Sequence, residues 1–212
     1  MAAPDESIFP DPETSADEEG VVGFSYDLNA AMLQDAYSHG IFPWPFDDEV
    51  IPWVSPPMRG VIPLEEFHIP KSFRRELRKC QFELRIDTAF AEVIRGCATQ
   101  ERPDGGTWIT SKIIRAYCEL HEAGWAHSFE TWNIVTGQLV GGLYGVSVGK
   151  IFSGESMFHR ETGASKFALV GAAEELRRRG VTILDTEMVT STTALFGARE
   201  VPRAQFLQWL RA

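Results

Sequence analysis

The segment from Gly40 to Pro63, GIFPWPFDDEVIPWVSPPMRGVIP, restricts the fold more than any other part of the chain. Proline lacks a backbone N–H donor and fixes φ, so this segment should form neither a helix nor a central strand. Such a segment is ordered only by burying its own aromatic rings. The sequence therefore predicts a loop that joins a small N-terminal domain, residues 21–62, to a larger domain, residues 63–212.

The first 20 residues are acidic and contain few apolar side chains, which predicts a disordered tail. They lack a basic stretch followed by an apolar run, so they read as neither a secretory signal nor a transit peptide. No stretch of the chain reaches the roughly 18 uninterrupted apolar residues of a membrane helix. A chain of 212 residues that is 44% hydrophobic and 24% charged has an ordinary globular composition. We expect a cytoplasmic monomer with no membrane partner.

Beyond the proline-rich segment, helical and strand patterns alternate along the chain. Residues 138–157 hold two strands so close in sequence that they predict an antiparallel hairpin. A long helix is predicted over 165–179, where Gly180 ends it, and a buried strand over 182–187. Helices mixed around a partly antiparallel sheet indicate an α+β domain.

Two acids, Asp185 and Glu187, lie in the segment LDTE at the end of the buried strand. Side chains two residues apart in a strand share a face, roughly 7 Å apart. Buried carboxylates are costly unless they are paired or used. Transfer of an acyl group from an ester to an amine needs a group that accepts the amine's proton. The pair therefore predicts an acid–base site, with two hydrated acids at a strand end as the alternative.

Glu155 lies in the segment GESMF among apolar residues, so it needs a partner. A substrate amine or hydroxyl is one such partner, and the alternative is a core glutamate satisfied by the backbone or by Arg160. The nearby run VGGLYG has three glycines in one strand, which indicates a bulge or a close approach by another group. Leu143 in this run is a candidate for lining a pocket.

Trp44 lies in the proline-rich segment and Trp108 in the segment GGTWIT. Tryptophans in such loops either stack on a base or anchor the loop, and both readings stay open for these two. Trp53 is predicted to be an anchor.

The segment KSFRRELRK predicts a short helix with Phe73 and Leu77 facing the core and its basic residues facing outward. A basic surface suits a phosphate backbone, although a solvated face is the commoner meaning of a charge cluster. The cluster stands out in a chain of net charge −10. Its members are Lys71, Arg74, Arg75, Arg78 and Lys79.

The five histidines and three cysteines show no metal-ligand spacing, and no serine or cysteine lies in a nucleophile-elbow pattern. We therefore expect no metal and no cofactor. Direct transfer without a covalent enzyme intermediate is the simpler chemistry.

Together these segments resemble the bacterial leucyl/phenylalanyl-tRNA–protein transferase family, over most of residues 27–210 and in the family's order. The pairing of GESMF with LVGGLYG is the most specific part of the resemblance. The matching segments include AYSHGIFPW (36–44), WVSPPMRGV (53–61), GTWIT (106–110), LVGGLYGVSVGKIFSGESMFHR (139–160) and LDTE (184–187).

The resemblance implies a small N-terminal domain and a C-terminal domain with the acetyltransferase-like (GNAT) fold. It implies transfer of Leu, Phe or Met from charged tRNA to proteins that begin with Arg or Lys, which marks them for degradation. By position, Trp44 and Trp108 would pack on the terminal adenosine, while Asp185 and Glu187 would act on the incoming amine. The residues that would line or support the amino-acid pocket are Leu143, Glu155 and Met157, with Tyr37 as a further substrate-binding residue.

The chain also departs from the family pattern. Glu187 stands where the family usually has Gln, so this position can accept a proton outright. Leu143 replaces a usual Met, and Ala172 stands where a pocket Phe is common, which leaves the preferred donor open. Two other functions remain: an acyl-CoA N-acetyltransferase, since residues 160–165 partly mimic a pyrophosphate loop, and a non-catalytic binder of charged tRNA or basic peptides.

Overall fold

The computed structural model describes residues 7–45, 47, 49–101 and 106–212. Its helices are α1 (Pro12–Ser15), α2 (Ala30–Ser38), α3 (Lys71–Leu77), α4 (Phe90–Ala98), α5 (Ser111–Glu122), α6 (Ala164–Arg178), α7 (Ser191–Ala194) and α8 (Arg203–Leu210). Its strands are β1 (Val21–Ser25), β2 (Phe42–Pro43), β3 (Ile51–Val54), β4 (Met58–Pro63), β5 (Phe82–Ile86), β6 (Ala126–Asn133), β7 (Leu139–Val148), β8 (Ile151–His159), β9 (Ile183–Glu187) and β10 (Arg199–Pro202). Within these residues we find no helix whose length and apolar content would let it span a bilayer.

The strands form two sheets. The N-terminal sheet has the order β1-β3-β2, and the large sheet has the order β10-β4-β9-β8-β7-β6-β5. All neighbours in the large sheet are antiparallel except β8 and β9, which are parallel. Helix α6 connects these two parallel strands and buries its apolar side on the sheet. The predicted α+β class with a mixed sheet is confirmed.

The glycines of β7 allow two neighbours to approach the strand closely. A Cβ atom added at Gly141 would lie 2.6 Å from the Cβ atom of Ala164 at the start of α6. One added at Gly145 would lie 2.1 Å from the carbonyl oxygen of Ser153 in β8. Both distances are shorter than any non-bonded contact allows, so packing of the fold accounts for these glycines without a ligand.

Strands β8 and β9 run side by side only at their beginnings. Their parallel register covers Ile151–Ser153 against Ile183–Asp185, and the described residues show no pairing between the two strands beyond it. On the other side of β8 the register with β7 shifts, because Gly145 lies opposite Gly154 while Tyr144 lies opposite Ser156. Glu155 is therefore the extra residue of a β-bulge, a device that redirects a side chain. A gap opens between β8 and β9 at this level.

The proline-rich segment is more regular than the sequence predicts. It contains β3, the central strand of the N-terminal sheet, and β4, which lies between β10 and β9. Pro52 is tolerated in β3 because its carbonyl oxygen still accepts the backbone N–H of Trp44 at 2.8 Å. The chain passes from one sheet to the other at residues 55–57, a few residues before the predicted boundary at 62.

Trp53 of β3 anchors the N-terminal sheet, as predicted. Its side chain is 1% exposed, and its indole N–H donates to the Oγ of Ser25 at 2.8 Å.

Residues 7–20, which the sequence analysis assigns to a disordered tail, carry helix α1 and pack on this domain. The ring of Phe9 lies 4.6 Å from that of Trp53. The backbone N–H of Ile8 donates to Asp35 at 2.9 Å. The ring of Phe9 gives this acidic segment an apolar surface to bury. The average composition of the segment does not reveal this surface.

Candidate active site

Asp185 is fully buried, and both of its carboxylate oxygens are used. Arg59 donates from Nε to Oδ1 at 2.8 Å and from Nη2 to Oδ2 at 2.7 Å. Ser153 donates its hydroxyl to Oδ2 at 2.7 Å, and the backbone N–H of Glu187 donates to Oδ1 at 2.9 Å. Four donors match the roughly four lone-pair sites of a carboxylate. Asp185 therefore fixes the end of β9 and offers no free lone pair to a substrate amine.

Arg59 is as deeply buried as its partner, with 1% of its surface exposed. Its guanidinium lies between two aromatic rings, 4.4 Å from the centroid of Phe42 and 4.7 Å from that of Phe206. Guanidinium groups stack favourably on aromatic faces. The stacked rings and the bidentate pair with Asp185 hold this cation in one position.

Glu155 receives hydrogen bonds from two tyrosines. The hydroxyl of Tyr37 donates to Oε1 at 2.6 Å, and that of Tyr117 donates to Oε2 at 2.9 Å. Arg160, the partner that the sequence suggested, instead donates to the carbonyl oxygen of Leu139 at 3.2 Å. That alternative is wrong, because the bulge turns Glu155 towards helices α2 and α5. Tyr37, predicted to bind substrate, supports Glu155.

Glu187 combines a strained backbone with an unpartnered side-chain oxygen. Its φ is 58°, in the left-handed region that a residue with a side chain rarely adopts. Its side chain is buried, and Oε1 has no hydrogen-bond partner among the described residues. Strained backbone and unsatisfied buried polar atoms are both characteristic of functional sites. Glu187 therefore has what Asp185 lacks, an oxygen free to receive a donor.

Both glutamates have a raised proton affinity, and Glu155 contributes to that of Glu187. Burial raises the pKa of Glu187 well above its ordinary value, and the nearby charge of Glu155 raises it further. Burial also raises the pKa of Glu155 to about 7, although the hydrogen bonds from Tyr37 and Tyr117 oppose this shift. Arg59, the cation of this cluster, is already paired with Asp185. Both glutamates are therefore shifted towards their protonated forms.

A cavity of about 220 Å³ lies where β8 and β9 diverge. Leu143 and Met157 belong to its apolar wall, and Glu155 is also among the residues that line it. The structure thus brings together the three predicted pocket residues. This volume suits one amino-acid side chain better than a larger ligand. The lining residues are Leu143, Gly154, Glu155, Ser156, Met157, Leu169, Leu184, Thr186, Thr190 and Thr193.

Trp44 and Trp108 come together from distant parts of the chain. Their ring centroids are 6.2 Å apart, and their planes differ by 13°. Both rings are half-buried. They form a nearly parallel aromatic pair, the kind of surface on which a base stacks. Neither ring lines the cavity between β8 and β9.

The basic cluster lies on α3 and the residues that follow it. Phe73 is buried as predicted, and all five basic residues are exposed. None of them lines the cavity. The cluster is a separate surface of the molecule and takes no part in the glutamate site.

Comparison with known proteins identifies the family. A family model described as leucyl/phenylalanyl-tRNA protein transferase matches residues 61–211, and a model of that family's N-terminal domain matches residues 26–57. The chain belongs to the leucyl/phenylalanyl-tRNA–protein transferase family. It is therefore an aminoacyltransferase, an enzyme that acts with charged tRNA.

Two relatives illustrate how much of this transferase is shared. A leucyl/phenylalanyl-tRNA–protein transferase from Thiobacillus denitrificans is 48% identical over 94% of this chain and 87% of the relative. One from Oleidesulfovibrio alaskensis is also 48% identical, over 95% of this chain and 83% of the relative. The similarity extends across both domains.

Solved structures with a similar chain path have much lower sequence identity to this chain. FemX matches with a TM-score of 0.47 and 13% identity, over 85% of this chain and 70% of FemX. A GCN5-related N-acetyltransferase from Sphaerobacter thermophilus matches with a TM-score of 0.41 and 14% identity, over 82% of this chain and 55% of that chain.

Three residues of this transferase's site were not predicted from the sequence: Arg59, Tyr117 and Ser153. Arg59 carried a signal, because a lone arginine between apolar residues of a strand needs a buried carboxylate. Tyr117 looked like part of the apolar face of α5. Ser153 is an ordinary strand residue until Asp185 is placed beside it.

Proposed function

We propose that this transferase moves Leu, Phe or Met from charged tRNA to the N-terminal amine of proteins that begin with Arg or Lys. The observation that carries the proposal is the unpartnered Oε1 of Glu187. Glu187 lies near Glu155, and Glu155 lines a cavity of side-chain size. The names of the relatives supply Leu and Phe as donors. In the cell, this modification would mark the acceptor for degradation in the cytoplasm, and the enzyme would act as a monomer.

The donor amino acid occupies the cavity between β8 and β9. Its side chain lies against Leu143 and Met157, which favours apolar donors through burial of their surface. The terminal adenosine of the tRNA stacks on the pair formed by Trp44 and Trp108. This arrangement leaves the ester carbonyl at the cavity end that holds Glu155.

The reaction is direct attack by the acceptor's neutral amine on the ester carbonyl carbon. A nitrogen–carbon bond forms, and the bond between that carbon and the ribose oxygen breaks. The amine's proton passes to Oε1 of Glu187 and then to the departing ribose oxygen, so the enzyme ends as it began. A carboxylate with a raised pKa accepts an amine proton more readily than an ordinary glutamate does. Asp185 acts through the backbone N–H of Glu187 and keeps the carboxylate in place.

A cationic acceptor suits the charge of this site. Three buried carboxyl groups, those of Glu155, Asp185 and Glu187, lie near one buried guanidinium, that of Arg59. An acceptor that brings further positive charge reduces their mutual repulsion. We therefore expect a preference for Arg or Lys at the acceptor's N-terminus.

The exposed basic cluster on α3 would bind the phosphate backbone of the tRNA. Charge reversal at Arg74, Arg75 and Arg78 should weaken tRNA binding and flatten its dependence on salt. Three lost phosphate contacts lower the slope of log K against log salt by up to about 3. Titration of fluorescent tRNA at several salt concentrations measures this slope. An unaltered slope would move the tRNA site to another surface.

The test of the proposed function is a transfer assay with matched panels. The donors are tRNAs charged with Leu, Phe, Met and Asp, and the acceptors are peptides beginning with Arg, Lys, Asp or Glu. We expect transfer from the three apolar donors to the two basic acceptors. Acetyl-CoA serves as the control donor. Acetylation without transfer from tRNA would establish the acyl-CoA alternative, and binding of charged tRNA without transfer would establish a non-catalytic role.

A further inference from the structure

A second cavity, of about 400 Å³, lies beside the N-terminal sheet. We call it the apolar groove. Among the described residues, it shares Trp44 with the aromatic pair proposed to stack the adenosine, and it shares no lining residue with the cavity between β8 and β9. Large exposed apolar surfaces on a protein mark sites of interaction, and Phe24 here is 69% exposed while Met188 is 49% exposed. The groove is lined by Glu19, Val21, Phe24, Phe42, Trp44, Pro52, Val54, Pro56 and Met188.

Met188 connects the apolar groove to the glutamate site. Met188 follows Glu187 directly in the chain and lines the groove. The position of this residue is fixed by β4, because a Cβ atom added at Gly60 would lie 2.6 Å from the carbonyl carbon of Met188. A molecule whose amine reaches Glu187 therefore has the groove as its neighbouring surface.

The charge of the apolar groove indicates whether it suits the tRNA or the acceptor protein. Glu19 is the charged residue among those lining it, and no lysine or arginine lines it in the described part of the chain. Asp17 and Glu18, next to Glu19, are exposed as well. These acids repel phosphates and attract a polypeptide with a positive N-terminal region, so the part of the groove beyond Trp44 suits the acceptor rather than the tRNA.

We propose that the apolar groove binds the acceptor protein, and that it holds apolar side chains of the residues following the acceptor's N-terminal residue. This inference rests on the proposed function and adds a selectivity that the glutamate site does not supply. An extended chain advances about 3.3 Å per residue, so the second and third residues of an acceptor held at Glu187 lie beside Met188 and Phe24. Val54 and Pro52 form the floor on which such side chains are buried.

The experiment compares two acceptor peptides, one beginning Arg-Leu-Leu and one beginning Arg-Ser-Ser, on the full-length enzyme. The wild type should have the lower KM for the apolar peptide. Phe24→Ser and Met188→Ser should each raise that KM about fivefold to tenfold, equivalent to roughly 1 to 1.4 kcal/mol. The KM for the Arg-Ser-Ser peptide and for charged tRNA should stay within about twofold. Tyr26→Ser is the matched control, because Tyr26 is 75% exposed on the same segment and does not line the groove.

Three outcomes would overturn the inference. Equal KM values for the two peptides in the wild type would remove the selectivity. An effect of Phe24→Ser on the KM for charged tRNA alone would assign the groove to the tRNA end. An equal effect of Tyr26→Ser would show a general surface change. If the wild type transfers to neither peptide, the proposed function fails, and anisotropy with the same labelled peptides still tests whether the groove discriminates between them.

Discussion

Two carboxylates at the end of β9 are separated by one residue, yet they differ in hydrogen bonding and in backbone conformation. Asp185 accepts four hydrogen bonds, two of them from Arg59. Glu187 has an oxygen without a partner, a strained backbone and a raised pKa. A buried acid with every lone pair satisfied contributes to structure, whereas a buried acid left unsatisfied costs stability and is retained for another reason. The contrast separates an acid that holds the site together from the acid that we propose accepts the amine's proton.

The largest effect that would test this contrast is on stability. Asp185→Ala leaves the Arg59 guanidinium buried without a counter-ion, so the free energy of unfolding should fall by about 3–5 kcal/mol. Equilibrium unfolding in urea measures this loss, and transfer activity should fall with it. The double variant Arg59→Met with Asp185→Leu is the control, and it should recover much of the stability but not the activity. A loss below about 1 kcal/mol in the single variant would show that the pair does not hold β9.

The next effect is on activity at Glu187. Glu187→Ala removes both the proton acceptor and the hydrogen bond to the amine, so kcat/KM should fall by about 10²-fold or more. Glu187→Gln keeps an oxygen that accepts the amine's hydrogen bond but cannot accept its proton, so its kcat/KM should fall between that of Glu187→Ala and that of the wild type, at least about tenfold below the wild type. Steady-state transfer kinetics at pH 8 distinguish the two variants. Wild-type activity in the glutamine variant would show that the amine's proton does not pass to Glu187.

A smaller effect is expected at Tyr117. Tyr117→Phe removes a hydrogen bond that stabilises the charged form of Glu155, so the pKa of Glu155 should rise further. Because the charge of Glu155 raises the pKa of Glu187, a Glu155 that stays neutral to higher pH should let Glu187 ionise earlier. The rising limb of the pH–rate profile should then move to lower pH, while the profile of Ile114→Val, a change on the same helix, stays in place. Such a variant normally costs about 1 kcal/mol of stability. A lowered rate without any displacement of the profile would indicate a purely structural role for the hydroxyl.

The smallest effect is on the pH dependence of stability. A carboxyl whose pKa is higher in the folded state binds more protons when folded, so its contribution to stability is full below the unfolded pKa and is lost as pH rises through the folded pKa. For Glu155 this window runs from about 4.5 to about 7, and for Glu187 it extends upward from the same lower limit. Glu187→Gln should therefore be more stable than the wild type at pH 8. Thermal unfolding from pH 4.5 to 8 should show the difference vanishing at the acidic end.

The sequence predicted the elements that depend on local pattern. The hairpin of β7 and β8, the long helix α6 and the buried strand β9 all follow from spacing, glycines and apolar runs. The strands of the proline-rich segment were not predicted, because proline removes only one of the two hydrogen-bonding groups and Pro52 uses the other. The local sequence cannot show whether the remaining carbonyl oxygen of a proline will pair with another strand.

The sequence predicted the acids and the pocket residues of the candidate site, but it did not predict which residues hydrogen-bond to those acids. The contact of Arg59 with Asp185 spans 126 residues, and that of Tyr117 with Glu155 spans 38. Pairings of this length depend on the completed sheet. The positive φ of Glu187 breaks the alternation from which the sequence analysis placed both acids on one face. Only the three-dimensional arrangement shows that one acid is satisfied and the other is free.

Tyr37 has a consequence for how the two family domains depend on each other. It belongs to the part of the chain matched by the N-terminal family model, while its hydrogen-bond acceptor, Glu155, belongs to the part matched by the other. Arg59 likewise reaches back to the carbonyl oxygen of Gly40 at 3.4 Å. Severing the small domain would admit water to Glu155 and return its acidity towards that of a surface side chain. The smaller domain thus supplies one of the hydrogen bonds that set the pKa of a buried acid in the larger one.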